Sequence, residues 1–159
     1  MNNVSQEQQS WLKHMLEDHE KLRSTVGSTR SFLDNPRPDP GETGYRRWAA
    51  AMSQQLVDLY DGLFHHFREE ESEGVFQDLA RRYPRSSDRV ERFQNQHEHL
   101  LGELRTIMDD VKEYSVGTAS DDPRLRRRVA EALDRLDSHE AGETELLQRM
   151  LYNDIGEGG

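Results

Sequence analysis

The stretch from Asp34 to Gly44, "DNPRPDPGETG", carries prolines at 36, 38 and 40 and glycines at 41 and 44. No α-helix runs through it, because each proline lacks an N–H and its ring clashes with the carbonyl four residues back. On either side the apolar residues recur with helical spacing, and no strand-like alternation interrupts them. Working outward, "YPRSSD" (83–88) and "SVGTASDDP" (115–123) break the chain in the same way. Four segments remain, which predict helices over about residues 6–34, 43–73 or beyond, 88–115 and 123–152. Ser5 with Gln8 and Asp88 with Glu91 have capping-box spacing, and Asp122 precedes Pro123 at a first helical position. Gly74 breaks the second segment and leaves "VFQDLARRY" as a short extra piece. Short links between long helices favour antiparallel neighbours. The expected fold is therefore all-α, an up-down-up-down antiparallel four-helix bundle forming one domain over residues 1–159.

The composition narrows what such a bundle can do. Of 159 residues, 33% are hydrophobic and 33% charged, so the apolar atoms must gather on narrow helix faces for the chain to fold. A formal net charge of -10 argues against nucleic acid or an anionic membrane as partner, since both demand a basic surface. The run "RLRRR" (124–128) is short and surrounded by acids, which reads as a basic exposed turn. With no cysteine, thiolate chemistry is excluded, and any transition metal must rest on His, Asp and Glu. The polar start "MNNVSQEQQS" and the absence of a long apolar run point to neither a signal peptide nor a membrane span, and so to the cytoplasm.

Residues three, four and seven apart share a side of a helix, which sorts the seven histidines. His19 stands with Leu12, Met15, Leu16, Leu22 and Val26, and points inward. His66 follows Leu59 and Leu63, His97 lies with Val90, Phe93, Leu100, Leu101 and Leu104, and His139 with Ala132, Leu136 and Leu146. His14, His65 and His99 fall on polar sides. Each long helix thus aims one histidine at the core, and Glu70 and Glu143 follow His66 and His139 by one turn on the same faces. A single inward histidine is ordinarily a core residue with satisfied hydrogen bonds. Four of them with two carboxylates are different, because unpaired buried charges cost several kcal/mol unless something neutralises them. A metal would do so. Glu69, Glu71 and Glu73 read as a solvated face.

The arrangement repeats. "HEKL" (19–22) echoes "HEHL" (97–100), and "HFREE" (66–70) echoes "HEAGE" (139–143), giving one His followed by His-x-x-x-Glu, twice. Such a two-fold pattern suits two ions roughly 3.5–4 Å apart with the carboxylates bridging them. His97 and His139 lie at similar heights, roughly 27 and 24 Å from their shared link. His19 and His66 match less well, so the second helix is expected to overhang or to begin later.

In order, "LEDHEKL", "HHFREEES", "NQHEHLLGEL" and "LDSHEAGETELL" resemble the hemerythrin-like family, the HHE cation-binding domains, over nearly the whole chain. The resemblance implies a non-haem di-iron centre in a four-helix bundle, an oxo- or hydroxo-bridged pair of iron ions, that binds dioxygen or reports on oxygen, iron or redox state. It places His19, His66, Glu70, His97, His139 and Glu143 at the ligand positions. Oxygen-carrying members differ in having His-x-x-x-His in the third helix, where this chain has Leu101, and His-x-x-x-x-Asp in the last, where it has Thr144. Four histidines in place of five leave more open positions, which favours a sensor or an oxidant-reactive role over reversible carriage. His65, Glu69 and Glu140 are further donors whose faces argue against ligation.

Two other readings stand beside this one. The first is a di-iron enzyme acting on peroxide or nitric oxide, although no dedicated acid or base is evident in the sequence. The second is a metal-free or zinc-stabilised helical interaction module. The ferritin-like di-iron enzymes use Glu-x-x-His, and no histidine here has a glutamate three residues before it. With no attached output domain in view, the chain is expected to act alone or by contact with a protein partner.

Overall fold

Helix forms wherever the apolar periodicity is unbroken, and runs through Gly27, Gly62, Gly102 and Gly142 without a break. The computed structural model describes residues 6–39, 44–72, 75–117 and 123–157, and among these there is no strand. Helix α1 spans Gln6–Asp34, α2 Tyr45–Glu71, α3 Val75–Arg82, α4 Ser87–Val116 and α5 Leu125–Glu157. A 3-10 turn at Pro84–Ser86 leads into α4. Pro36 and Pro38 lie in irregular chain beyond α1, as their missing N–H groups require. Gly44 (φ 114°) precedes α2, and its carbonyl accepts the Trp48 N–H at 2.8 Å. Gly117 (φ 76°) ends α4 in the left-handed region, where its N–H bonds back to Glu113 and Tyr114 carbonyls.

Several helix starts differ from the sequence reading. Serine 86, not Asp88, flanks α4, and it makes no capping bond through its side chain. Pro84 has already turned the chain, so the helix begins one residue early and Asp88 falls within its first turn, where its charge suits the helix dipole. Pro123 sits in a turn two residues before α5. Ser5, Asp122 and Gly74 lie outside the described residues. The "RLRRR" run is not simply an exposed basic turn: Arg126 donates to the carbonyls of Leu33 and Asn35 at the end of α1, and Arg128 pairs with Asp110 at 2.8 Å. A guanidinium there satisfies carbonyls that the ending helix leaves unpaired.

The long helices pack as a bundle, with α1 against α2 and α5, and α4 against α2 and α5. Helix α3 lies across α2 and α4. Their buried faces build two separate apolar clusters. The larger includes Leu22, Val26, Trp48, Met52, Leu56, Leu59, Leu63, Leu104, Ile107, Leu133 and Leu136. The smaller joins Leu12, Met15, Phe76, Val90, Leu146, Leu147 and Met150, with Phe76 supplied by α3. Each fully buried leucine stabilises the fold by about 1.5–3 kcal/mol relative to exposure. Among the described residues, no helix is long and apolar enough to cross a membrane.

In sequence, the two clusters are separated by a polar interval. On α1 it is His19, between Met15 and Leu22; on α4 it is His97, between Val90 and Leu100. His19 and His66 rings stand 4.7 Å apart although α2 has more residues between its histidine and its start than α1 has to its end. Helix α2 begins at Tyr45, slightly later than the sequence spacing predicts, and still overhangs α1 by about 9 Å.

Candidate metal centre

All six inward residues of the sequence reading meet in this polar layer. His19, His66, Glu70, His97, His139 and Glu143 are each 3% exposed or less. The rings form two pairs, His19 with His66 and His97 with His139, the second pair 5.0 Å apart. His14, His65 and His99 are exposed, as their polar faces required. His14 Nε2 lies 3.3 Å from Glu69 on the surface.

Both carboxylates straddle the two pairs. Glu70 Oε1 lies 3.1 Å from His19 Nε2 and against His66 Nε2, whereas its Oε2 lies 3.1 Å from His97 Nε2. Glu143 does the reverse, with Oε1 2.9 Å from His139 Nε2 and 3.0 Å from His97 Nε2, and Oε2 3.4 Å from His19 Nε2. Each glutamate therefore turns one oxygen to each imidazole pair. All four rings present Nε2 to this centre.

The outer nitrogens explain that orientation. His19 Nδ1 lies 2.7 Å from Thr144 Oγ1, His97 Nδ1 2.9 Å from Glu71 Oε1, and His139 Nδ1 2.7 Å from Gln96 Oε1. A carboxylate or amide oxygen can only accept, so His97 and His139 donate from Nδ1 and, when neutral, keep the Nε2 lone pair facing inward. His66 lacks such an acceptor; its Nδ1 has no hydrogen bond and stands 3.7 Å from Asp18. Aromatic rings brace the second pair: Phe67 stacks on His97 at 3.8 Å, and Phe93 meets His139 edge-on at 5.6 Å. Gly142 makes room for Phe93, since a Cβ there would sit 3.0 Å from the ring.

A seventh buried donor joins the layer. Glu140, set aside on its face in the sequence reading, is 5% exposed, with Oε2 3.3 Å from His19 Nε2 and 4.0 Å from His66 Nε2. Its signal was present: Leu133, Leu136, Glu143 and Leu147 stand at helical spacing from it and are all buried. The inward face of α5 is wide enough to hold both residues 139 and 140. Glu71, on the solvated face and half exposed, also partners His97. Gln96 and Thr144 gave no signal, because only contact between helices reveals them.

The electrostatics of this layer couple its imidazoles tightly to its carboxylates. Burial opposes protonation of His19 and His97, but Glu143 and Glu70 outweigh it and push both up to about 10. Burial pushes the Glu140 carboxyl up to about 7 against the pull of His19. Glu143, also buried, is held well below its usual range by His139, His19 and His97. Even so, His66 Nε2, His139 Nε2, Glu70 Oε2, Glu143 Oε2 and both Glu140 oxygens have no hydrogen bond. Buried polar atoms are rarely left so, and here the orphans converge on one layer. Imidazole and carboxylate donors without thiolate suit a divalent transition ion. His19, His66, Glu140 and Glu143 bring ligand atoms within 4.8 Å of one another, as do His97, His139 and Glu143. The residues fit a metal site.

Comparison with known proteins agrees. Residues 11–151 match the family described as the Hemerythrin HHE cation binding domain. No curated protein and no solved structure matches the chain.

Proposed function

The chain belongs to the hemerythrin HHE cation-binding family, and from that premise we propose that it is a non-haem di-iron protein that binds dioxygen or senses oxygen, iron or redox state. The observation that carries the reading is the straddling of Glu70 and Glu143, each with one oxygen toward each imidazole pair. His19 and His66 would hold one ion and His97 and His139 the other, with the two carboxylates shared. Bound iron supplies one-electron redox change and coordination positions for a small oxidant, which side chains alone do not offer. The protein's own part is to aim four Nε2 atoms at the centre, exclude water and balance charge.

The same reading takes the chain as one domain and the bundle as up-down-up-down antiparallel, supported by the pairing of neighbouring helices. Two side chains favour sensing over carriage. Where oxygen carriers resemble this chain but place a fifth histidine, Leu101 is half-buried against the larger apolar cluster. Where they place an aspartate, Thr144 supports His19 from outside. The acidic net charge supports a protein with no nucleic-acid partner.

Metal content by mass spectrometry tests this on aerobically purified protein and again after iron is supplied under reducing conditions. About two irons per chain is the expected result. Protein that takes up no iron in either case would overturn it.

A further inference from the structure

The internal repeat that relates α1 to α4 and α2 to α5 has one telling exception. Aligning "HFREE" with "HEAGE" puts Phe67 opposite Glu140, each directly after the histidine of its helix. The structure obeys the same relation. Phe67 of α2 stacks on His97 of α4, and Glu140 of α5 reaches His19 of α1. Equivalent places in the two halves are thus filled by a phenyl ring and by a carboxylate.

We propose that Glu140 is a terminal ligand on the His19/His66 side, so that the His97/His139 side alone keeps an open position, beside Phe67, for an uncharged small molecule. The inference rests on the di-metal reading. Glu140 is buried, neither of its oxygens has a hydrogen bond, and the basic nitrogens recorded within 4.0 Å of it are those of His19 and His66. One side then has five protein donors, His19, His66, Glu140 and one oxygen each from Glu70 and Glu143, and a shared oxo or hydroxo bridge would complete six. The other has His97, His139 and the two remaining carboxylate oxygens, which the same bridge would bring only to five, with the Phe67 ring where a further protein donor would stand. An ion short of a ligand and walled by an apolar ring receives a neutral diatomic without having to displace a charged group. The better-braced pair, with Nδ1 acceptors on both rings, is the one left open.

The test is Mössbauer spectroscopy of the whole chain loaded with iron-57 under reducing conditions, before and after nitric oxide, for wild type, Glu140→Gln and Glu140→Ala. The expected wild-type result is two iron signals of equal area, only one of which shifts with nitric oxide. In Glu140→Gln and Glu140→Ala the signal insensitive to nitric oxide in the wild type should change or be lost, while the other persists. Circular dichroism confirms that each variant is folded. Equivalent irons in the wild type, or folded Glu140 variants whose two signals match the wild type, would overturn the proposal while leaving the di-iron reading intact. Failure of the wild type to take up iron would overturn both.

Discussion

The larger apolar cluster and the polar layer lie in one bundle and are stable for opposite reasons. Leu56, Leu59 and Leu63 are fully buried and need nothing beyond their neighbours. One turn further along the same face of α2, His66 and Glu70 are as deeply buried, yet His66 Nε2 and Glu70 Oε2 lack hydrogen bonds. The first region gains from excluding water, whereas the second loses by it until a cation arrives. A single helical face thus passes from self-sufficient packing to a site completed from outside, with no change in backbone.

Substitutions at the two places should respond differently to metal. The largest effect is expected for Leu59→Ala, which leaves a cavity and should cost about 2–5 kcal/mol. Urea denaturation should show the same loss in iron-loaded and chelated protein; a loss that depends on metal would break the comparison. His139→Ala or Glu70→Ala should act only through the layer. Either should abolish binding of the metal pair and bring the melting temperature of the loaded protein down to that of chelated wild type. The linkage at stake is about 4 kcal/mol when free metal exceeds its dissociation constant 1,000-fold.

Acidity sharpens the contrast. In the metal-free chain His19 and His97 hold protons up to about pH 10, well above the 6.5 of a free imidazole. Each ion must displace such a proton, so metal affinity should rise with pH by about tenfold per unit for every proton displaced. Calorimetry in two buffers of different ionisation enthalpy counts those protons, and pH-independent affinity would contradict the charge balance described here. Thr144→Val, which removes the hydroxyl 2.7 Å behind His19 Nδ1, should weaken metal binding by roughly 10- to 100-fold in a chelator competition. At the bottom of the scale, His14→Ala and His99→Ala should leave metal content unchanged and stability within about 0.5 kcal/mol. Equal behaviour of these and the inward variants would refute the assignment of faces.

The helices and the six straddling or straddled groups could be read from the chain because both follow from spacing along one helix. Proline at 36 and 38 stops α1 by local chemistry alone, and His19 inherits its direction from Met15 and Leu22. What escaped was set by neighbours. Glu140 is inward because the buried face of α5 spans both 139 and 140, wider than one stripe. Gln96 and Glu71 matter only because His139 and His97 happen to lie beside them on adjoining helices. The start of α4 was misplaced by one residue because Pro84 began turning the chain before the expected cap.

The separation of the two apolar clusters has a kinetic consequence. With packed side chains on both sides of the layer and no histidine of the site more than 3% exposed, opening of part of the bundle eases the exchange of an ion with solvent. Among the described residues, the smaller cluster ties α1, α3, α4 and α5 together on one side of the layer. Release of a bound ion then requires local opening as well as the breaking of its ligand bonds, and quickens steeply with temperature. Residence time is written in Leu12, Met15 and Phe76 as much as in the ligands.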